Sequence, residues 1–289
     1  MTQQNRQPLG YIELETGLRA ITPMNDFFLS YLFNLPENWE TLRAIYNILV
    51  LACHDAYPHK ASGLTLLTNP IEVETQYEYL LDSKRTKRQD MVITEQDKDV
   101  TAIEFHNRAN SSPAIEIRGI EYLALGIGRT KGEQRANQVW ILAEHHAGLL
   151  GEEAFEQYSI RSELTGRAYP SKSSLFYVSL EKLATADTQA GQLARFLLGI
   201  DLNPTDNAIK AIANRFNQTF EIVQQDKEAR YKMTNVDYFR AEGRAEGRAE
   251  GKLEKAVEIA KNLRLLNVPL EKIAEATKLS TEEIMSIST

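Results

Sequence analysis

The chain has 289 residues, 43% of them hydrophobic and 25% charged, which is the profile of a folded globular protein rather than a disordered or fibrous one. Its one cysteine, Cys53, excludes a disulfide framework and a multi-cysteine zinc site. The net charge of −7 argues against indiscriminate polyanion binding, though a basic groove beside an acidic centre stays open. No run reaches the roughly 18 apolar residues of a membrane span, and the opening MTQQNRQPLGYIELETG has no apolar signal core. A cytoplasmic protein without membrane contact is therefore expected, with one core and an appendage.

Residues 1–21 read as a polar lead-in. A main domain is expected over 22–225, a linker over 226–252 and a small helical module over 253–289. Thr22-Pro23-Met24-Asn25-Asp26 precedes a helix-period apolar run of Phe28, Leu29, Leu32 and Phe33. A second helical stretch, Thr41 to Ala52, sets Leu42, Ile45, Ile48, Leu49 and Ala52 on one face, and Cys53 continues it as a packing residue. At Ile71 the period changes to two: Ile71, Val73, Thr75, Tyr77 and Tyr79 alternate with polar residues, as in a strand with one wet face.

Arg88 to Thr94 and Val100 to His106 read as a hairpin around the turn Glu95-Gln96-Asp97-Lys98-Asp99. Pro113 to Arg129 reads as a helix, and Gln138 to Glu144 and Ser173 to Leu180 as buried strands. Helical patterns then run from Thr188 to Gln225. This order predicts an α/β fold, a mixed sheet flanked by helices. Gly126-Ile127-Gly128 lacks the third glycine and preceding strand of a dinucleotide loop, so no nucleotide cofactor is expected. His145-His146 has no metal-ligand spacing and reads as a strand end.

From Ala241 to Gly251 the chain repeats Ala-Glu-Gly-Arg. A helix there would align Gly243, Gly247 and Gly251, with separate acidic and basic rows. Alone it is a poor helix, because each interior glycine costs about 1 kcal/mol and like charges recur at i, i+4. Against a partner helix it improves, so a homodimer through residues 240–289 is expected, a flexible linker being the alternative. The tail, Leu253 to Leu266, Leu270 to Thr277 and Thr281 to Ile287, has a helix-turn-helix outline. Its last helix offers acids and no bases, which suits a protein contact better than DNA readout.

The sharpest chemical signal is in the hairpin. If residues 95 to 99 turn, Thr94 pairs with Val100 and Asp90 faces Glu104 directly, with Cβ atoms roughly 5 Å apart. Two facing carboxylates repel, whereas a divalent cation between them reverses the sign. Arg88 and His106 share that face with Val92 and Ala102, and Met91, Ile93, Ile103 and Phe105 form the apolar side. The alternative is an edge hairpin with a solvated polar face, in which a register slip of one residue separates the pair. The basic run Lys84, Arg85, Lys87 and Arg88, with Arg108 and Arg118 beyond it, suits contacts to DNA phosphates; its alternative is a solvated loop.

The run Pro23-Met24-Asn25-Asp26-Phe27-Phe28-Leu29-Ser30-Tyr31-Leu32-Phe33, then Lys87-Arg88-Gln89-Asp90-Met91-Val92, then Ile103-Glu104-Phe105-His106, resembles the recombination-promoting nuclease and transposase family, a branch of the PD-(D/E)XK nucleases. The Glu-Gly-Arg repeats and the segment from Ile259 to Ile284 are similar as well. The resemblance implies a restriction-endonuclease-like mixed sheet flanked by helices, with a helical C-terminal extension. It implies that Asp90 and Glu104 bind a catalytic Mg²⁺ or other divalent cation, and that Asp26 borders the site. Two positions depart from the pattern. Leu29-Ser30 stands where the family has Phe-Lys, and His106 stands where it has glutamine or the wider group lysine. A neutral imidazole at 106 can accept a proton from the attacking water, so metal-assisted phosphodiester hydrolysis of DNA is the expected activity. A catalytically silent DNA-binding or oligomeric interaction protein on the same fold is the alternative.

Overall fold

The computed structural model describes residues 6–14, 17–58, 64–68, 71–82, 85–95, 99–107, 112–130, 134–167, 173–231, 259–263 and 269–277, with the backbone alone over 76–82, 85–89 and 112–114 and at 271 and 275. It divides into two units, Met1–Lys227 and Glu228–Thr289.

The first unit opens with a two-stranded antiparallel ribbon, β1 (Gly10–Leu14) and β2 (Gly17–Ile21), where the sequence suggested only a lead-in. Ile12 and Ile21 are its buried residues among exposed neighbours, too sparse an apolar signal to mark a strand pair. Two helices follow, α1 (Asp26–Phe33) and α2 (Trp39–Ala56). Asn25 caps α1, its side chain accepting the Phe28 N–H at 2.9 Å. The expected apolar face of α1 is the buried one: Phe28, Leu29, Leu32 and Phe33.

The main sheet contains β3 (Ile71–Asp82), β4 (Arg85–Glu95), β5 (Val100–His106), β6 (Ala136–Leu142), β7 (Phe155–Ser159) and β8 (Ser174–Ser179). Its spatial order is β3-β4-β5-β6-β8-β7. The strands β5, β6 and β8 run parallel to one another, and the outer pairs are antiparallel, so the sheet is mixed. The long helix α3 (Ser112–Arg129) is the crossover from β5 to β6. The short helices α4 (Ala147–Leu150) and α5 (Leu180–Leu183) precede and follow the β7–β8 pair, and α6 (Gln189–Leu197) and α7 (Asn207–Gln225) complete the unit.

Helices cover both faces. On one, Ile115, Tyr122 and Leu123 of α3 pack with Trp140, Leu142, Leu175 and Tyr177 of the sheet. On the other, Phe33 stacks on Phe105, and Phe216 meets Phe28, Phe33 and Phe196 from α1 and α6. Strands covered on both sides lose the alternating pattern, and every residue of β6 is buried. The hairpin β4–β5 is thus interior rather than an edge. The face that an edge hairpin would leave solvated is covered, with Val92 and Ala102 buried together. The strand β7, a short antiparallel edge, is the one strand of this sheet with no counterpart in the sequence reading.

In the second unit residues 259–263 are helical and α8 spans Leu270–Thr277, directly after Pro269 as the first-turn preference for proline suggests. The Ala-Glu-Gly-Arg repeat and the expected helix Thr281 to Ile287 lie outside the described residues. Among the described residues no helix is long and apolar enough to cross a membrane.

Candidate functional site

The register of the hairpin is the one expected from its turn: Thr94 pairs with Val100, Ile93 with Thr101, Val92 with Ala102 and Met91 with Ile103. There the ladder stops. Beyond it β4 remains paired with β3 through Glu78↔Arg88 and Tyr79↔Lys87, while β5 remains paired with β6 through Glu104↔Trp140 and His106↔Leu142. The sheet splits between its second and third strands, and Asp90 and Glu104 stand at the fork.

Their side chains take over the hydrogen bonding that the backbone ladder gives up. Asp90 donates its backbone N–H to Glu104 Oε1 at 2.9 Å, and Phe105 donates its N–H to Asp90 Oδ2 at 3.2 Å. These two bonds bring the carboxyls together, so each feels the other as it ionises. Glu104 is only 3% exposed. Burial pushes Asp90 up to about 6, with the charge of Asp26 adding to the effect. Glu104 is driven well above the ordinary carboxylate range, by burial first and by Asp90 second. The backbone N–H groups and Arg118 pull both in the opposite direction.

Asp26 opens α1 and borders the pair: with Leu29, Ser30, Asp90, Met91 and Phe105 it lines a narrow crevice. Ser30, where a basic residue was expected, is therefore a wall of this crevice. Arg118 comes from α3, on the opposite face. Its Nη2 lies 3.6 Å from Glu104 Oε2 and donates to the Tyr122 hydroxyl at 3.3 Å. Its guanidinium carbon sits 5.1 Å from the centre of the Trp140 ring and 5.4 Å from that of Tyr122. The two rings are themselves stacked, 6.0 Å apart.

His106 is half-buried, edge-on to Trp140 at 6.1 Å, and is not among the residues lining the crevice. Lys84 and Arg108 lie outside the described residues, as do the side chains of Arg85, Lys87 and Arg88; the backbone of the last three forms the part of β4 that leads to Asp90. The fold also brings in two residues with no sequence signal. Asn107, directly after β5, donates to Met24 O at 3.2 Å and accepts from Arg6 Nη1 at 3.0 Å, tying the start of α1 to the end of β5.

Away from the fork, His145 is a structural residue. Its ring reaches Gly151 O at 2.8 Å and Ser179 Oγ at 3.3 Å, and its N–H donates to Glu181. Cys53 is buried, which pushes its thiol up to about 11 and leaves it protonated at neutral pH. Gly126 and Gly128 lie within α3.

Among the described residues no group of three or more His, Cys, Asp or Glu side chains is placed to hold a metal. A cation at the fork would rest on two carboxylates, with its other positions open to water or ligand oxygens. That donor set suits a hard ion such as Mg²⁺, which keeps several waters and takes one or two carboxylates. Models of known families, curated proteins and solved structures were compared with the chain, and none matches it.

Proposed function

We propose that the protein is a metal-dependent deoxyribonuclease of the PD-(D/E)XK kind, with Asp90 and Glu104 holding the ion. The observation that carries this reading is the fork, where the buried carboxyl of Glu104 and the half-buried one of Asp90 meet as the β4–β5 ladder ends. A divalent ion there would activate a water and offset charge on a phosphodiester.

The chain's own residues prepare that chemistry in three ways. The N–H groups of residues 90 and 105 aim the carboxylates and restrict their rotation. Ion binding needs both carboxyls ionised, and burial raises both, so affinity rises with pH through the raised range of the pair. Asp26 adds negative potential at the mouth, which draws a cation inward. The strand from Arg85 to Arg88 leads into the fork, and a basic approach of this kind would hold DNA by its phosphates.

A second reading, a relative that binds without cutting, draws on the positions of Ser30 and His106: the crevice wall carries no base at 30, and 106 lies against Trp140. Plasmid nicking separates the two. The nuclease reading expects nicking with Mg²⁺, none with EDTA, and none from Asp90→Asn or Glu104→Gln. Wild-type protein that binds Mg²⁺ by calorimetry yet leaves plasmid intact supports the second reading. Self-association through residues 240–289 is proposed from the sequence alone, and a monomer by light scattering at micromolar concentration would refute it.

A further inference from the structure

Asp26, Asp90 and Glu104 concentrate negative charge at the fork, and the positive group felt by both members of the buried pair is Arg118. Its contact with Glu104 is long for an ion pair, 3.6 Å, and falls outside hydrogen-bonding range. What fixes the guanidinium is the aromatic pair beneath it. Tyr122, one turn along α3, and Trp140, the β6 partner of Glu104, hold it by cation–π contact and by the Tyr122 hydroxyl. The side chain is 38% exposed, and its Nε and Nη1 groups make no hydrogen bond among the described residues. A planar fork with open donors, anchored independently of the acid it faces, is built to receive a second oxyanion.

We propose that Arg118 is a resident counter-ion that a divalent cation displaces from Glu104 and that then grips the substrate's scissile phosphate from its aromatic seat. The inference rests on the nuclease reading and adds a positioning residue to it. Without metal, Arg118 partly offsets the negative charge on the carboxyls. With an ion bound, Glu104 would turn toward it, and the guanidinium, still seated on Tyr122 and Trp140, would be left with its open donors available to a substrate phosphate. No proton or covalent bond changes hands at Arg118, whose part is electrostatic.

The test uses the full chain and three readouts: Mg²⁺ affinity by calorimetry, Mg²⁺-dependent tryptophan emission, and plasmid nicking. Arg118→Gln is expected to bind Mg²⁺ on the order of tenfold more tightly, since a competing charge is gone. It should nick about 100-fold more slowly at saturating metal, since an oxyanion donor is gone. Arg118→Lys keeps the charge but not the fork, so it should retain near wild-type Mg²⁺ affinity with slowed nicking. Mg²⁺ should change Trp140 emission in the wild type, as Glu104 turns away from the guanidinium seated on that ring, and leave Asp90→Asn unchanged. Unaltered or weaker Mg²⁺ affinity in a folded Arg118→Gln overturns the counter-ion role, and unaltered nicking overturns the phosphate role. If Arg118→Gln fails to fold, a lysine variant that nicks at the wild-type rate, or wild-type emission that ignores Mg²⁺, overturns the proposal. Wild-type protein that neither binds Mg²⁺ nor nicks rejects the nuclease reading itself, and that outcome is separate from any behaviour of the Arg118 variants.

Discussion

Asp90→Asn should stabilise the metal-free protein at neutral pH and abolish its response to Mg²⁺. The change keeps the shape of the side chain. An asparagine oxygen can still accept the Phe105 N–H, and the neutral amide removes the charge that now opposes ionisation of Glu104. In the folded chain, burial raises Asp90 from 3.8 to about 6. A carboxyl raised in this way contributes its full stability below the unfolded value and loses it as pH climbs through the folded one, because the native state must release the proton against resistance. A rise of about two units corresponds to about 3 kcal/mol. Asp90 is half-buried and so partly screened, which makes about 2 kcal/mol the expected gain for Asp90→Asn near neutral pH, vanishing as pH falls to about 4. For a domain of this size that is about 4–8 °C in Tm. Mg²⁺ at about ten times its Kd should in turn stabilise the wild type by about 1.4 kcal/mol and leave the variant where it was. Circular-dichroism melts across this pH range, with and without Mg²⁺, read both effects. Coincident melting of wild type and variant at neutral pH would show that the buried repulsion does not exist, and the metal argument built on it would fall.

Other expectations follow from neighbouring contacts. Asp26→Asn should lower the apparent pKa of Asp90, since Asp26 is among the groups raising it, and shift the onset of Mg²⁺ binding in a pH titration toward acid; an unshifted onset would place Asp26 outside the site's field. A Cβ at Gly119 would collide with the Tyr177 hydroxyl and lie 3.1 Å from Leu175, so Gly119→Ala should cost about 1–3 kcal/mol in a denaturant melt by forcing α3 off the sheet. Asn25→Ala removes the cap of α1 and should cost about 1 kcal/mol, and it should weaken Mg²⁺ binding as the crevice wall frays. Phe216→Ala, deleting a ring that meets Phe28, Phe33 and Phe196, should cost about 3–5 kcal/mol without changing Mg²⁺ affinity per folded molecule.

The register at the heart of the site could be read from sequence because it depends on local features: a turn of fixed length and apolar residues at period two. Those place Thr94 opposite Val100, and they bring positions 90 and 104 to the same level of the sheet. What they cannot show is that the ladder ends one step earlier. That is a contest between β3 and β6 for the two strands, settled by long-range pairing. The burial of Val92, Ala102 and Glu104 was hidden for a related reason. A polar-looking face becomes interior only when other elements cover it: α3 docks through Tyr122 and Leu123 against Trp140, the neighbour of Glu104, and Val92 packs with Val100 and Ala102. Arg118 read as one more basic residue near a basic run, because its tie to Glu104 passes through a strand pairing, Glu104↔Trp140, that no local pattern encodes.

Glu95 shows why the fork, and not the mere burial of an acid, is what calls for a ligand. It lies at the other end of β4 and is as hidden as Glu104, at 5% exposure against 3%. Yet its carboxylate accepts the Thr68 N–H at 3.1 Å, with the Thr68 hydroxyl at 3.5 Å, so the fold itself supplies its donors. At the fork each carboxyl gains one backbone donor and then faces another acid. Extending the ladder through 90 and 104 with apolar side chains would recover backbone hydrogen bonds worth about 1 kcal/mol each and remove the repulsion. A fold that instead keeps two acids there accepts a local loss of stability in its best-packed layer. The loss is one that a divalent ion relieves and that Arg118, at 3.6 Å from Glu104, relieves only in part.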